Sequence, residues 1–350
     1  MGRQQFRRDT ITGIYVIVAP DRNDRPGFFP VQQKAVILPD YDSACQFCPG
    51  NEHLTPQEEY AFRNGNVWWT RVVKNKFPAL ETIVNGDSNG EPPKGIFTYR
   101  PGHGSHEVIV ETNTHNEGLD ARPEDLVREL VEMYKERITA YRGNSELQNV
   151  LIFKNSGSEA GQSLDHPHSQ LIASPIPMPI VLAELKGALE YYATPNFKGQ
   201  LEQCGYCDMV REELEVKDKH GIDSHANRVI AENPFFASFL PYASRSPMET
   251  WIIPKYHQSD FGFLGDQEAT HLARMIQEVI KKMNKALPNF HYNLLLHTAP
   301  LHSGADRQYH WHLEIIPKGL NKKGGLEEGS GFFLNPLPPE FGARLIHDAN

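Results

Sequence analysis

The four cysteines of the chain form two C-x-x-C pairs, Cys45/Cys48 and Cys204/Cys207, and no cysteine lies outside them. Two thiolates at this spacing can bind one metal ion, and zinc completes its tetrahedron with two further ligands, often histidines. Disulfides are one alternative, but we expect a reducing compartment because the first residues lack a secretory signal. A thioredoxin-like redox motif would need a helix after the first pair, whereas Pro-Gly-Asn follows it.

The histidines that could complete these sites occur at corresponding places of an internal repeat. An apolar run that a histidine ends occurs twice, as HEVIVETNTH and METWIIPKYH, and a His-x-His pair occurs twice, as HPH and HWH. The repeat predicts two closed Cys2His2 sites, which stabilise the fold and do not activate water. Their expected ligands are Cys45, Cys48, His115 and His166 in the first half, and Cys204, Cys207, His257 and His310 in the second.

The second histidine of the first His-x-His pair, His168, is adjacent to the predicted metal site but free to react. Side chains at i and i+2 of a strand share a face, so His168 shares its face with His166 and Gln170. A neutral imidazole is a competent nucleophile toward phosphorus, and amide groups can stabilise negative charge on phosphoryl oxygens. The preceding segment supplies candidate phosphate contacts, namely Lys154, Asn155, Gly157 and Gly161.

The elements that position these residues follow the same repeat. Helical periodicity over PEDLVRELVEMYKERITAY and DQEATHLARMIQEVIKKMNKAL predicts one amphipathic helix in each half, and NVLIFKN and YNLLLHT are typical of buried strands. We expect an α+β fold in which each half is an antiparallel sheet with a helix packed on one face, joined through paired strands or a shared sheet. The expected halves are residues 1–174 and 200–350, and residues 175–199 would form a connecting helix and linker.

The composition is typical of a soluble globular protein, with 350 residues, 39% hydrophobic and 23% charged residues and a formal net charge of −9. No apolar run is long enough to span a bilayer, and an acidic chain lacks the basic face that nucleic-acid binding requires. We therefore expect a cytoplasmic protein without membrane or nucleic-acid partners. A phosphate-bearing ligand must then meet a local basic pocket.

The motifs CQFCPGNEHLTP, HEVIVETNTH and SLDHPHSQ, in this order, resemble the galactose-1-phosphate uridylyltransferase family, a tandem branch of the histidine triad superfamily. The resemblance extends from DTITGIYVIVAPDRNDRP to FFLNPLPPE. It implies two histidine-triad-like halves, bound zinc, a homodimer, and a nucleotide sugar and a sugar 1-phosphate as substrates. UDP-glucose would give its uridylyl group to His168, glucose 1-phosphate would leave, and galactose 1-phosphate would accept the nucleotide. The family pattern makes Gln170 a phosphoryl contact and implies nucleotide or phosphate contacts at Arg22, Arg25, Asn75 and Asn155.

The second half departs from the family pattern at a metal site. Some members carry iron there, and a glutamate at the last position, where a histidine is expected, argues against iron in this chain. The matching positions are Glu184, His297, His312 and Glu314. The CGYC pair instead resembles a two-zinc branch that includes a plant ADP-glucose phosphorylase.

Two further departures concern the substrate. Lys76 lies where uridylyltransferases commonly carry an aspartate, which leaves the choice of base open. In the tail, GSGFFLNPLPPEFG replaces a Tyr-Glu segment that binds sugar, so Asn335 and Glu340 are the expected sugar contacts.

Three functions therefore remain open. The first is a UDP-glucose:hexose-1-phosphate uridylyltransferase, the second an ADP-glucose phosphorylase with the same histidine nucleophile, and the third a zinc-stabilised nucleotide-binding protein without catalysis. A hydrolase, in which water discharges the intermediate, is a variant of the first two. Only the first half keeps the full nucleophile set, since Glu314 replaces Gln170 in the second half, so we expect one active site per chain.

Overall fold

The computed structural model describes residues 3–24, 37–82, 95–222, 224–321 and 323–350, which form thirteen β-strands and six α-helices. The strands are β1 (Gln5–Arg8), β2 (Tyr15–Val18), β3 (Glu58–Asn64), β4 (Val67–Lys74), β5 (Ser105–Val110), β6 (Asn149–Ser156), β7 (His168–Ser174), β8 (Val229–Glu232), β9 (Phe236–Phe239), β10 (Thr250–Pro254), β11 (His291–His297), β12 (His312–Lys318) and β13 (Phe333–Asn335). The helices are α1 (Glu124–Tyr141), α2 (Pro179–Ala193), α3 (Gly205–His220), α4 (Asp266–Ala286), α5 (Gly325–Ser330) and α6 (Pro339–Asp348). Within the described ranges, none of these helices has the length and apolar character needed to cross a membrane.

Strands β3 to β12 form one ten-stranded antiparallel sheet, in the order β3-β4-β5-β7-β6-β11-β12-β10-β9-β8. The order of the first five strands is repeated in reverse by the second five, as expected when two copies of one unit pair through their equivalent edge strands, β6 and β11. The two halves meet where β6 pairs with β11 and Asn155 lies opposite Asn293. The α+β fold of two repeated halves is confirmed, and the halves share a single sheet.

The two long helices α1 and α4 pack on one face of this sheet. Leu130 of α1 and Leu272 of α4 belong to one buried apolar cluster that also contains Ile152 of β6 and Leu171 of β7. Because side chains alternate along a strand, the neighbours of Leu171, which include Gln170, point to the opposite face. We call the face that carries α1 and α4 the helix face and the opposite one the outer face.

The outer face differs between the halves. Over the second half, apolar side chains of α2, α3 and the N-terminal segment, among them Ile11, Ala188 and Tyr206, pack on sheet residues such as Trp251. Strands β1, β2 and β13 form a separate three-stranded sheet in which β13 runs parallel to β2. This small sheet was not predicted from the sequence. Over the first half, the outer face carries the CQFC loop and a cavity.

Helix α2 contacts the N-terminal segment so closely that Gly187 leaves no room for a side chain. A Cβ atom at Gly187 would lie 1.7 Å from the carbonyl oxygen of Ile11. Alanine normally stabilises a helix interior by about 0.5–1 kcal/mol relative to glycine. Since relieving this contact requires a backbone shift, we expect Gly187→Ala to lower the free energy of unfolding by about 1–3 kcal/mol, measured by denaturant or thermal unfolding.

The matched control is Gly329→Ala in α5, where a Cβ atom would meet nothing within 4 Å. This variant should be as stable as the wild-type protein or slightly more stable. If Gly187→Ala were also neutral or stabilising, the close packing of α2 on the N-terminal segment would be contradicted.

Candidate active site

The first cysteine pair and its two predicted histidines come together at the outer face of the first half. Cys48 Sγ lies 3.5 Å from His115 Nδ1 and 3.6 Å from His166 Nδ1, and Cys45 Sγ lies 3.7 Å from His166 Nδ1. A sulfur and a nitrogen bound to one tetrahedral zinc ion are about 3.5 Å apart, given Zn–S of about 2.3 Å and Zn–N of about 2.0 Å. The four side chains could therefore hold a metal ion.

His166 has the protonation state that metal binding needs. Its Nε2 is 2.8 Å from the carbonyl oxygen of Thr112 and donates to it, which leaves the lone pair on Nδ1, beside the cysteines. Burial lowers the pKa of His166 to about 4, so the ring is neutral at physiological pH. The Thr112 carbonyl thus fixes both the tautomer and the direction of the ligand atom.

The second cysteine pair forms an equivalent group with a different local structure. Cys204 precedes the first turn of α3 and Cys207 lies within it, whereas CQFC lies in a turn. Cys207 Sγ is 3.5 Å from Nδ1 of both His257 and His310, and His257 Nε2 donates to the carbonyl oxygen of Asp306 at 2.7 Å. This group could also hold a metal ion, and its His257 is exposed to solvent, whereas His115 and His166 of the first group are buried.

His168, the proposed nucleophile, is the first residue of β7 and is 6% exposed. Its Nδ1 is 2.9 Å from the carbonyl oxygen of His166, and a carbonyl only accepts, so Nδ1 carries the hydrogen and Nε2 keeps its lone pair. Burial lowers the pKa of His168, which favours the neutral ring. The ring of Phe47, which lies between the two cysteines of the first group, packs 5.5 Å from the ring of His168.

A cavity of about 300 Å³ opens beside His168. Phe47, Phe77 and Leu164 contribute apolar walls, and Asn75 and Lys76 contribute polar groups. Apolar walls with a few polar groups are typical of a pocket for a small ligand with a planar ring. Of the predicted site residues, His168, Gln170 and Asn75 line this cavity.

His106 is a residue of this site to which the sequence analysis gave no role. Its Nε2 lies 2.8 Å from Gln170 Oε1, and the amide nitrogen of Asn75 lies 3.4 Å from the same oxygen. The sequence pointed to this part of the chain, since His106 is the first residue of the HEVIVETNTH motif. Recognising it required the pairing of β5 with β7, in which Val108 lies opposite Gln170.

Lys154, predicted as a phosphate contact, lies on the helix face and not in the cavity. Strand β6 pairs Phe153 with Gln170, so Phe153 shares the outer face and Lys154 points to the other side. There Lys154 Nζ forms a buried ion pair with Glu111 at 2.9 Å. Ser169 donates to the other carboxylate oxygen of Glu111. The structure therefore corrects the assignment of Lys154 as a direct phosphate contact.

The loop with Gly157 and Gly161 lies against the second half. Gly157 has φ of 86°, and a Cβ atom there would lie 2.1 Å from Cδ2 of His291. Its N–H donates to the side chain of Gln162. Asn155 accepts a hydrogen bond from Asn293 at 2.8 Å. Packing against β11 thus explains the glycine at position 157, and Gly157, Gly161 and Asn155 do not line the cavity.

The remaining predicted substrate contacts lie elsewhere. Arg22 is exposed in a short 3-10 helix after β2 (Pro20–Asp24), and Arg25 lies outside the described residues. Asn335 is buried and donates to the carbonyl oxygen of Ser244 at 3.0 Å. Glu340 pairs with Arg7 at 2.9 Å and with Arg228 at 2.8 Å, so its carboxylate is engaged within the same chain. Neither Asn335 nor Glu340 lines the cavity beside His168.

A third group of buried side chains lies on the outer face of the second half. Its members are Glu184, His297, His312 and Glu314, the positions that match the family's iron site. Arg245 donates to one oxygen of Glu314 at 2.6 Å, and Tyr309 donates to one oxygen of Glu184 at 2.6 Å. Within the described ranges, His312 Nε2 and Glu314 Oε1 have no hydrogen-bond partner and lie 3.7 Å apart. The glutamate at position 314 is therefore compatible with metal binding, because one of its oxygens is directed to the group.

Comparisons with known proteins identify the family. Residues 2–176 match the family model described as galactose-1-phosphate uridyl transferase, N-terminal domain. ADP-glucose phosphorylase of Arabidopsis thaliana is 32% identical over 99% of this chain and 93% of its own. Galactose-1-phosphate uridylyltransferase of Thermotoga maritima is 26% identical over 98% of each chain.

Solved structures give the same result. The crystal structure of an ADP-glucose phosphorylase from Arabidopsis thaliana with bound ADP-glucose has a TM-score of 0.80 and 30% identity, and the match covers 99% of each chain. A uridylyltransferase structure has a TM-score of 0.72 and 26% identity over 99% of this chain and 98% of its own. The protein is therefore a member of the galactose-1-phosphate uridylyltransferase family of nucleotidyltransferases.

Proposed function

We propose that the protein transfers a nucleotidyl group from a nucleotide sugar to a phosphate-bearing acceptor through a covalent intermediate on His168. The observation that carries this proposal is the orientation of the His168 ring, whose Nδ1 donates to the His166 carbonyl and whose Nε2 keeps a lone pair. Nε2 attacks the α-phosphorus, the bond from that phosphorus to the bridging oxygen breaks, and the sugar 1-phosphate leaves. A phosphate oxygen of the acceptor then attacks the same phosphorus and the P–N bond breaks.

The surroundings of His168 support both half-reactions. A neutral nucleophile is needed in the first step, and burial lowers the pKa of His168 accordingly. Gln170 lines the same cavity, where its amide can donate to a phosphoryl oxygen as charge develops. Phe77 and Leu164 supply apolar surface for the nucleoside.

Two donors fit this chemistry. UDP-glucose, with a hexose 1-phosphate as acceptor, is supported by the family model and by the Thermotoga maritima relative. ADP-glucose, with inorganic phosphate as acceptor, is supported by the 32% identity to the Arabidopsis thaliana phosphorylase over nearly the whole chain. Both reactions share the His168 intermediate, so one experiment distinguishes them.

We also propose that both Cys2His2 groups bind zinc and that the chain forms a homodimer. The zinc proposal is supported by the donor sets and by the 3.5 to 3.7 Å spacing of sulfur and nitrogen atoms. Both groups have four protein ligands, so zinc there would stabilise the fold and leave the chemistry to His168. The dimer is supported by the family resemblance and by Phe6 and Tyr15, which are 65% and 46% exposed on the small sheet.

The covalent intermediate is testable by intact-protein mass spectrometry after mixing with UDP-glucose or ADP-glucose and quenching. We expect the wild-type protein to gain the mass of one nucleotidyl group, and His168→Asn to gain none because the attacking nitrogen is gone. Removal of a uridylyl group by galactose 1-phosphate would identify the uridylyltransferase, and removal of an adenylyl group by inorganic phosphate would identify the phosphorylase.

The control for this experiment is His220→Asn, at the exposed end of α3, which should be labelled like the wild-type protein. Labelling of His168→Asn at the wild-type rate would contradict His168 as the nucleophile. A metal-loaded wild-type protein that neither donor labels would favour a nucleotide-binding protein without catalysis.

The two metal groups can be separated by a matched pair of variants, His166→Asn and His310→Asn. Each should lose about one equivalent of zinc per chain and melt at a lower temperature, because a closed site that loses a ligand binds its metal weakly. Only His166→Asn should also impair labelling of His168, since the loops around the first group hold the nucleophile. Inductively coupled plasma mass spectrometry gives the metal content, and an unchanged zinc content in either variant would refute that site.

A further inference from the structure

The side-chain amide of Gln170 can assist the proposed transfer in only one of its two orientations. The NH2 group can donate to a phosphoryl oxygen, whereas the carbonyl oxygen would repel it. An amide without fixed partners can rotate by a half turn between the two. The site must therefore contain groups that hold the Gln170 oxygen away from the substrate.

The ring of His106 is held in one tautomer. Its Nδ1 lies 3.0 Å from the backbone nitrogen of Ala79, and a backbone N–H can only donate, so Nδ1 accepts. A neutral ring then carries its hydrogen on Nε2. That atom lies 2.8 Å from Gln170 Oε1, and it donates a hydrogen bond to this oxygen.

Asn75 supplies a second donor to the same oxygen. The backbone N–H of Phe77 donates to Asn75 Oδ1 at 2.8 Å, which directs the Asn75 amide nitrogen to the other side. This nitrogen lies 3.4 Å from Gln170 Oε1 and 3.0 Å from His106 Nε2, and because the ring nitrogen carries a hydrogen, Asn75 donates to the Gln170 oxygen. Two donors converge on Gln170 Oε1, while its NH2 group has no partner among the described residues.

His106 and Gln170 are neighbours in the first half, and the second half has neither of them. In the pairing of β5 with β7, Val108 lies opposite Gln170 and His106 lies opposite Ile172, so His106 is a diagonal neighbour of Gln170 on the outer face. In the second half Glu314 takes the place of Gln170 and lies opposite Trp251, so Glu249, two residues before Trp251, takes the place of His106. The half without the nucleophile set thus lacks both members of the pair.

We propose that His106 is a positioning residue, which fixes the Gln170 amide with its NH2 group toward the phosphoryl oxygens beside His168. The proposal rests on the proposed nucleotidyl transfer, to which it assigns an additional residue. His106 also connects Gln170 to the segment of Asn75 and Ala79 at the rim of the cavity, through the Ala79 N–H. His106 itself touches no reacting atom.

A double-mutant cycle tests this proposal with the donor that labels His168. We expect His106→Leu to lower kcat by roughly tenfold to a hundredfold and to change KM by less than about threefold, because the Gln170 amide acts mainly in the transition state. In a Gln170→Ala background the same substitution should have an effect below about twofold. His106→Gln, which keeps an N–H donor at similar reach, should recover most of the loss.

A structural role without positioning predicts different results. The effect of His106→Leu would then multiply with that of Gln170→Ala, and His106→Gln would be as impaired as His106→Leu. Either result would overturn the proposal. His220→Leu, at the exposed end of α3, is the control for replacement of a histidine and should leave kcat unchanged.

Two measurements that need no turnover separate this proposal from the proposed function. Nitrogen-15 NMR of histidine-labelled wild-type protein should show His106 as the Nε2–H tautomer, and an Nδ1–H tautomer would overturn the proposal even in an active enzyme. The phosphate of UMP or AMP is a dianion and should attract the Gln170 amide more strongly than the singly charged α-phosphate of the donor does, so calorimetric titration with UMP and AMP should show weaker binding in His106→Leu and Gln170→Ala, again without additivity. If the wild-type protein showed this tautomer and this non-additive binding but neither donor labelled it, nucleotidyl transfer would be refuted, whereas the effect of His106 on Gln170 would stand.

Discussion

The site depends on one residue, His166, which contributes to it through two different groups. Its imidazole joins Cys45, Cys48 and His115 in the first metal group, and its backbone carbonyl accepts the hydrogen bond from His168 Nδ1. A displacement of His166 would therefore disturb the metal site and the tautomer of the nucleophile together. The first Cys2His2 group also brings together the CQFC loop, the segment after β5 and the segment before β7, and Phe47 of the loop and Leu164 before β7 line the cavity. A metal ion bound there, as proposed, would thus be coupled to the reactivity proposed for His168 without direct contact between the ion and the substrate.

Much of the fold could be predicted because the sequence repeats. The periodicity of α1 and α4 and the two His-x-His pairs defined corresponding elements, and both Cys2His2 groups assemble as the spacing indicated. The three-stranded sheet could not be predicted in this way. β13 has only three residues and pairs with a strand more than three hundred residues earlier in the chain, so no local pattern marks it.

The sequence placed His168 beside the first Cys2His2 group through the His-x-His spacing alone, and the structure has it lining the cavity there. The places of other side chains could not be predicted, because the pairing of strands decides on which face of the sheet each of them lies. Lys154 and Asn155 are neighbours in sequence but point to opposite faces, and only the register with β7 shows that Lys154 meets Glu111 on the helix face. The role of His106 depends likewise on the pairing of β5 with β7. The conformation and packing of Gly157 depend on His291, which lies in the other half of the chain.

The pairing of β6 with β11 bears on how the two-half chain evolved. In an isolated first half, β6 would be an edge strand whose unpaired backbone groups could pair with another chain, which favours aggregation. In the intact chain the partner strand is tethered, so its effective concentration is high and does not depend on the amount of protein in solution. Between two separate halves, the pairing of β6 with β11 would be lost on dilution. Gene fusion of the halves would therefore have made this pairing independent of protein concentration. Once fused, the second half could lose its own nucleophile set, because its strand β11 still pairs with β6 and its His291 still packs against Gly157 of the first half.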